Sequence, residues 1–386
     1  MTTGRPPPLW PLYAAIAGAG VMMGSAIPLV PLALEARGVE KFVIGVSGAM
    51  WSVGLLCFGG LIPRWAERFG AVRLIWMALA ATALIRLIFA LTLDLPLPVL
   101  LPLWSALNFI QGVTIGIPWL VTEIWLNLVV EERRRARALA LYATLIAGGL
   151  TAGPLVLQLV GVIGPTPFVA CAALALVAGL PLLAAGSTAP RIEPESGGQW
   201  RDAVFAAPVA MIAAFVAGFA ETVVFVFLAV YAVGVGVAAQ TATLWQAAFV
   251  AGNLALQLPI GWLADKLPRA AVLVVCTALS GLAAAILPAM GTSAWTVWPL
   301  LLLWGGVAFG IYTVGLTMLG ERFAGGDMAR ANAAFVMVYT LGSLVGPPLS
   351  GAAMDVVGGP GLGWSLAAAY GVCLVAVVAL TAWQRQ

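Results

Sequence analysis

The sequence predicts an all-α membrane protein made of two homologous bundles of six transmembrane helices. Three observations carry that prediction: an apolar composition, twelve apolar segments of spanning length, and an internal repeat. Hydrophobic residues make up 62% of the 386 and charged residues 9%. A water-soluble globule of this size needs far more polar surface, so the chain must be solvated by lipid. The 44 glycines and 25 prolines fit the same reading. Small residues let membrane helices approach closely, and neighbouring helices re-satisfy the backbone groups that proline frees. A β-barrel is disfavoured, because its strands would alternate polar with apolar residues.

Roughly 20 apolar residues cross a bilayer core. Helices one to twelve are expected at residues 10–34, 42–63, 71–93, 98–128, 136–162, 165–185, 203–232, 240–263, 269–289, 296–320, 329–354 and 361–383. The uncharged stretches Ala138 to Pro190 and Ala270 to Gly320 each hold two spans, with turns at Gly161 to Pro167 and Gly291 to Trp295. The first apolar segment, Leu9 to Leu34, is too long for the core of a signal peptide and has no convincing cleavage site, so it reads as the first span. Placing the N-terminus inside puts Arg5, Arg64, Arg68, Arg73, Arg133 to Arg135, Arg137, Arg191, Arg201, Lys266, Arg269, Arg322, Arg330 and Arg385 on one side. Only Arg37 and Lys41 fall on the other. Basic loops stay in the cytoplasm, so both termini are expected there.

The polar loop between helices six and seven divides the chain near its centre, and a repeat matches the halves. Arg137, Gly149, Gly153 and Pro154 recur at one constant offset as Arg330, Gly342, Gly346 and Pro347, pairing helix five with helix eleven. Gly112-Val-Thr-Ile-Gly-Ile of helix four echoes Gly306-Val-Ala-Phe-Gly-Ile of helix ten. Both pairs lie six helices apart, the mark of parallel repeats in rocking transporters with a central site. The expected domains are 1–185 and 203–386, joined by a cytoplasmic linker at 186–202. Glycines four apart with a following proline, as in Gly149, Gly153 and Pro154 or Gly342, Gly346 and Pro347, make a flat, bent face for close helix contact.

Between helices eight and nine stands Gly261-Trp-Leu-Ala-Asp-Lys-Leu-Pro-Arg269. It resembles the cytoplasmic loop signature of the major facilitator superfamily, G-x-L-a-D-[RK]-x-G-[RK]. Pro63-Arg-Trp-Ala-Glu-Arg-Phe-Gly70 is its degenerate counterpart in the first half. A carboxylate at a helix end can latch a gate by pairing with a neighbouring helix N-terminus or with arginines. The gate candidates are therefore Glu67, Arg68, Gly70, Arg73, Gly261, Asp265, Lys266 and Arg269; the alternative is a tight turn whose charges only fix topology. The glycines of helices five and eleven resemble the superfamily's antiporter motif, although helix five has Leu157 and Gln158 where that motif ends in glycines. Thr122-Glu-Ile-Trp-Leu-Asn127, with Asn108-Phe-Ile-Gln-Gly112 and Gly218-Phe-Ala-Glu-Thr, resembles the YcaD-like branch of bacterial facilitators over essentially the whole chain. Many superfamily members carry arginine where this chain has Asn108, so a proton mechanism built on that arginine does not transfer. The resemblance implies the facilitator fold, a bacterial inner membrane, and secondary active transport of a small organic solute.

Three ionisable residues fall within spans, and each needs a partner or a wet cavity. Glu221 stands alone in an uncharged run from Ala203 to Ala264 and is the first candidate for proton coupling; the alternative is a neutral, hydrogen-bonded acid that fastens helix seven. Arg86 lies about 13 residues past Arg73, roughly 20 Å along a helix. It can bind an anionic substrate, pair with Glu221, or snorkel to the outer interface. Glu123, the second coupling candidate, lies near the cytoplasmic end of helix four with Arg68, Arg73 and Arg137 as possible gate partners. Asn108, Gln111, Trp119, Gln246, Asn253, Gln257 and Tyr312 are candidates to line a substrate cavity, or to bond helix to helix.

The expected mechanism is alternating access driven by protons, with export by antiport preferred over symport uptake of a nutrient, and with a non-transporting receptor or assembly factor as the rival class. The expected partners are a small-molecule substrate, protons and membrane lipid, with no nucleic acid, and the chain is expected to act as a monomer. No enzyme chemistry and no cofactor are expected: histidine is absent and no carboxylate cluster is visible. Met22-Met23 alone does not make a metal site. Cys57, Cys171, Cys276 and Cys373 lie in apolar segments and read as buried small hydrophobes.

Overall fold

A computed structural model describes residues 9–184, 201–323 and 326–383. The expected linker at 186–202, apart from its last two residues, lies outside them, as do Arg5, Arg191 and Arg385. Among the described residues there is no strand. Twelve helices among the described residues are long and apolar enough to cross a membrane. They are α1 (Trp10–Glu35), α2 (Lys41–Phe69), α3 (Ala71–Leu91), α4 (Leu97–Val129), α5 (Glu132–Val160) and α6 (Thr166–Ala184). The second set is α7 (Pro208–Gly234), α8 (Ala239–Lys266), α9 (Arg269–Ala289), α10 (Ala294–Arg322), α11 (Arg330–Val357) and α12 (Pro360–Thr381). Helices satisfy every backbone group internally, which a hydrocarbon medium demands.

Several ends differ from expectation, each for a local reason. Helix α2 continues past the expected residue 63 to Phe69, because Pro63 sits in the first turn of a new helical segment, Ile62–Phe69, where a missing N–H costs nothing. Helix α7 begins at Pro208 for the same reason, after a break at Ala207 that separates it from the short helix Arg201–Ala206. Gly70 ends α2 with φ of 81°, a conformation open to glycine, and the chain turns there into α3. Cys57 corrects the expectation of four buried cysteines: it is exposed, whereas Cys171, Cys276 and Cys373 are buried. It shares the uncovered surface with Leu91, Leu159 and Leu258, which are 85%, 87% and 82% exposed, the composition of a lipid-facing wall.

Contacts divide the described residues into two units. One holds residues 9–29 with 53–184; the other holds 30–52 with 201–383, so the start of α2 packs with second-half helices. Its amides at Lys41 and Phe42 donate to the two carboxylate oxygens of Asp355 at the end of α11, each at 2.8 Å. That is a helix N-terminus capped from another helix.

The same pairings recur in both units: α1 with α5 and α7 with α11, then α3 with α6 and α9 with α12. In the first pairing the backbones nearly touch. A Cβ on Gly24 would lie 2.3 Å from the Leu150 carbonyl oxygen, and one on Gly153 would lie 2.4 Å from the Ser25 nitrogen. In the other unit a Cβ on Gly218 would lie 1.9 Å from the Tyr339 oxygen, and one on Gly342 would lie 2.0 Å from the Phe215 oxygen. Serines lock both crossings: Ser25 Oγ donates to the Gly153 carbonyl at 2.8 Å, and Ser343 Oγ to that of Gly218 at 3.2 Å.

Candidate functional site

The crossing of α7 and α11 builds the site. With no side chain at Gly218, the Tyr339 backbone lies against α7. One turn further along α7 the Tyr339 hydroxyl donates to Glu221 Oε2 at 2.7 Å. Tyr339 meets Tyr312 of α10 edge-on, with centroids 5.4 Å apart, and Tyr312 meets Phe335 in the same way at 5.2 Å. The carboxyl opens onto a small recess lined by Ala217, Ala220, Phe249, Ala308, Phe309 and Tyr312. Glu221 forms no ion pair among the described residues. A carboxyl with one phenol donor, in an apolar aromatic recess, can hold a proton or a cation but has no fixed counter-charge.

The first unit has a small recess at the matching place, whose lining includes Met22, Met23, Thr82, Thr114, Trp119 and Ile146. A Cβ on Gly20 would lie 2.9 Å from the Ile146 carbonyl oxygen, so Gly20 stands to Ile146 as Gly218 stands to Tyr339. Three residues on from Gly20, Met23 takes the place of Glu221, and Ile146 takes that of Tyr339. Two side chains of this lining bond to each other, Thr82 Oγ1 donating to Thr114 Oγ1 at 3.0 Å, and the Trp119 carbonyl accepts from the Tyr142 hydroxyl at 3.0 Å. The acid and phenol thus belong to one half only of a repeated architecture.

Of the residues read from the sequence, Glu221 and Tyr312 line the second recess and Trp119 the first. Arg86, Asn108, Gln111, Gln246, Asn253 and Gln257 line neither. Arg86 is 3% exposed, inside its unit rather than snorkelling to a surface. Its guanidinium carbon lies 5.8 Å from the Phe89 ring centre, and its Nε has no hydrogen-bond partner among the described residues. Gln257 donates to Thr313 Oγ1, a bond between α8 and α10. Gln246 Oε1 and Asn253 Oδ1 find no partner among the described residues. Glu123 is half-buried and pairs with none of Arg68, Arg73 or Arg137, all of which are exposed.

Glu67 and Asp265 in the two loops are exposed and form no ion pair among the described residues. Lys266 lies over the Trp262 ring at 4.0 Å. Arg269 bonds instead to α10, through Glu321 Oε1 at 2.8 Å and the Thr317 carbonyl at 3.0 Å. The sequence reading had not singled out Tyr339, Glu321 or Asp355. Glu321 had a signal: it is an acid at the end of a span, one loop away from an arginine in a recurring motif.

The sequence model of the Major Facilitator Superfamily matches residues 12–209 and 210–385. The chain belongs to the major facilitator superfamily. This facilitator is 22% identical over 348 residues to the uncharacterized MFS-type transporter YfkF of Bacillus subtilis (strain 168), covering 88% of this chain and 87% of YfkF. It is 27% identical over 339 residues to the uncharacterized MFS-type transporter YcaD of Escherichia fergusonii, covering 85% and 84%. The likeness to YcaD agrees with the branch that the Glu123 to Asn127 segment resembles. The nucleoside transporter NupG superposes with a TM-score of 0.78 at 13% identity, covering 96% of this chain and 98% of that one. A D-xylose–proton symporter superposes with a TM-score of 0.73 at 16% identity, covering 95% and 96%. At such identities the likeness shows the fold alone. The facilitator is a multi-pass membrane transporter of a small solute and not an enzyme.

Proposed function

We propose that this facilitator moves a small organic solute across a bacterial inner membrane by alternating access, that protons drive it through Glu221, and that it exports by antiport. One observation carries the coupling: Glu221 is the one acid in a recess lined otherwise by alanine and aromatic residues, held by Tyr339, with methionine at the matching place of the other half. A carboxyl that takes up and releases a proton as its recess alternates between sides is a sufficient coupling device. The repeat boundary at the 186–202 linker and the cytoplasmic termini complete the proposal, with a monomer as the working unit. Glu123, half-buried and without an ion pair among the described residues, is the second coupling candidate.

A thermal-shift screen on purified protein supplies a cargo, because a ligand that binds the native state raises its apparent stability. Flux of that cargo in proteoliposomes, with and without an imposed pH gradient, then tests coupling. Glu221→Gln keeps shape and removes the proton site, so it should abolish gradient-driven accumulation while downhill exchange persists. A mutant that still concentrates cargo at the wild-type rate would falsify the assignment of coupling to Glu221. The direction of the gradient that drives accumulation separates antiport from symport.

A further inference from the structure

We infer that the cargo is a monovalent organic cation, a small amine or quaternary ammonium bearing an aromatic or alkyl group, and that it competes with the proton for Glu221. The inference rests on the reading of Glu221 as the coupling group and adds the chemistry of what binds there. The recess offers one carboxylate, three aromatic rings (Phe249, Phe309 and Tyr312) and the methyl groups of Ala217, Ala220 and Ala308. A carboxylate beside aromatic rings attracts an organic cation, by charge and, where a ring turns its face to it, by the ring quadrupole.

The other classes fit worse. An anion would meet the acid and no cation, since Glu221 has no basic partner among the described residues. A sugar or nucleoside needs several hydrogen-bond groups, and beyond Glu221 and the Tyr312 hydroxyl the lining side chains are hydrocarbon. A divalent metal needs six or more oxygen ligands or a set of nitrogen and sulfur ones. Here there is one carboxylate, with an oxygen already taken by Tyr339.

Competition makes occupancy exclusive, and it couples the two fluxes where the empty, ionised form does not switch sides. The cation binds the ionised carboxylate, and a proton on Glu221 removes the charge that attracts it, so each occupant leaves as the other arrives. The titratable groups facing Glu221 are phenols: Tyr339 of α11, Tyr312 of α10 and, near enough to feel its charge, Tyr370 of α12. Helix α8 presents Phe249 and no titratable group to the recess. Of the charges on α11, Arg330 pairs with Asp327 and Asp355 caps the start of α2, where Lys41 pairs with Glu35. No fixed charge from these elements substitutes for a bound cation.

Benzyltrimethylammonium is the probe and phenylmethanesulfonate its control, similar in size and opposite in charge, with binding to the purified full chain read by calorimetry. The cation should bind, more weakly as pH falls, and the sulfonate should not. Glu221→Gln should weaken cation binding at least tenfold while melting like the wild type. Tyr312→Leu, which leaves the acid in place, should weaken it about threefold by loss of one ring; this variant keeps the test decisive if Glu221→Gln does not fold. Equal binding of cation and sulfonate, or wild-type affinity in both variants, overturns the inference. The two readings fail separately. Should the cation not bind while a pH gradient still drives another cargo through Glu221, coupling stands and the substrate class falls. Should it bind in a Glu221-dependent way while flux ignores the gradient, the substrate class stands and coupling falls.

Discussion

A methyl group on Gly218 would come within 1.9 Å of the Tyr339 carbonyl oxygen, a contact that only a shift of backbone can relieve. Gly218→Ala should therefore cost about 1–3 kcal/mol, the usual range for overpacking a close-packed contact, and part the helices that bring Tyr339 to Glu221. Gly148 on α5 is the control, with nothing within 4 Å of its would-be Cβ. Thermal unfolding in detergent, followed by tryptophan fluorescence, should show a lower melting temperature for Gly218→Ala and no change for Gly148→Ala. Identical melting of the two variants would mean that the crossing is not tight. The site was half legible at this scale. Glu221 stands out because a carboxylate in a long apolar run is costly. Tyr339 does not, because a tyrosine in an apolar helix carries no local signal. Its role follows from the register that Gly218 and Gly342 set between two helices more than a hundred residues apart.

The loop from Gly261 to Arg269 separates what a motif marks from what the folded chain connects. The motif draws the eye to Asp265, yet in this conformation Arg269 reaches Glu321 and the Thr317 carbonyl, tying the start of α9 to the end of α10. An exposed pair of this kind is worth at most about 1 kcal/mol, so Glu321→Gln should lower stability slightly. Asp265 has no ion-pair partner to lose among the described residues, so Asp265→Asn should leave the melting temperature unchanged. If Asp265 latches a gate, its partner is made in another conformation. The same variant should then lower flux and raise the accessibility of the substrate cavity to cytoplasmic thiol reagents. Unchanged flux and accessibility would reduce the motif to a turn. Helix existence was legible throughout, because spanning length and hydropathy leave little choice in lipid. Helix ends were not: Pro63 and Pro208 each begin a helical segment, a role that proline takes in a first turn and that resembles a stop when read along the sequence.

At the scale of the whole molecule the distribution of charge along the sequence is expected to decide which side of the bilayer each helix end faces. Basic residues are the signal. The helix ends that flank the turns after α2, α4, α8 and α10 carry arginine or lysine, whereas the turn between α1 and α2 and the end of α11 carry few. The fold supplies a check on consistency, because the Lys41 and Phe42 amides bond to Asp355, so those last two places share one end of their unit. An odd number of spans separates that end from Arg330, as the charge rule requires. The native thiols must first be removed, Cys57 above all because it is exposed. In that background, cysteines at Glu40 and Ala238 should react with an impermeant maleimide on intact cells. Those at Arg134 and Glu195 should react only after permeabilisation. The reverse pattern would invert the transporter, and with it the side from which a proton reaches Glu221. Antiport export would then need the opposite pH gradient, and the flux experiment on Glu221 would show it.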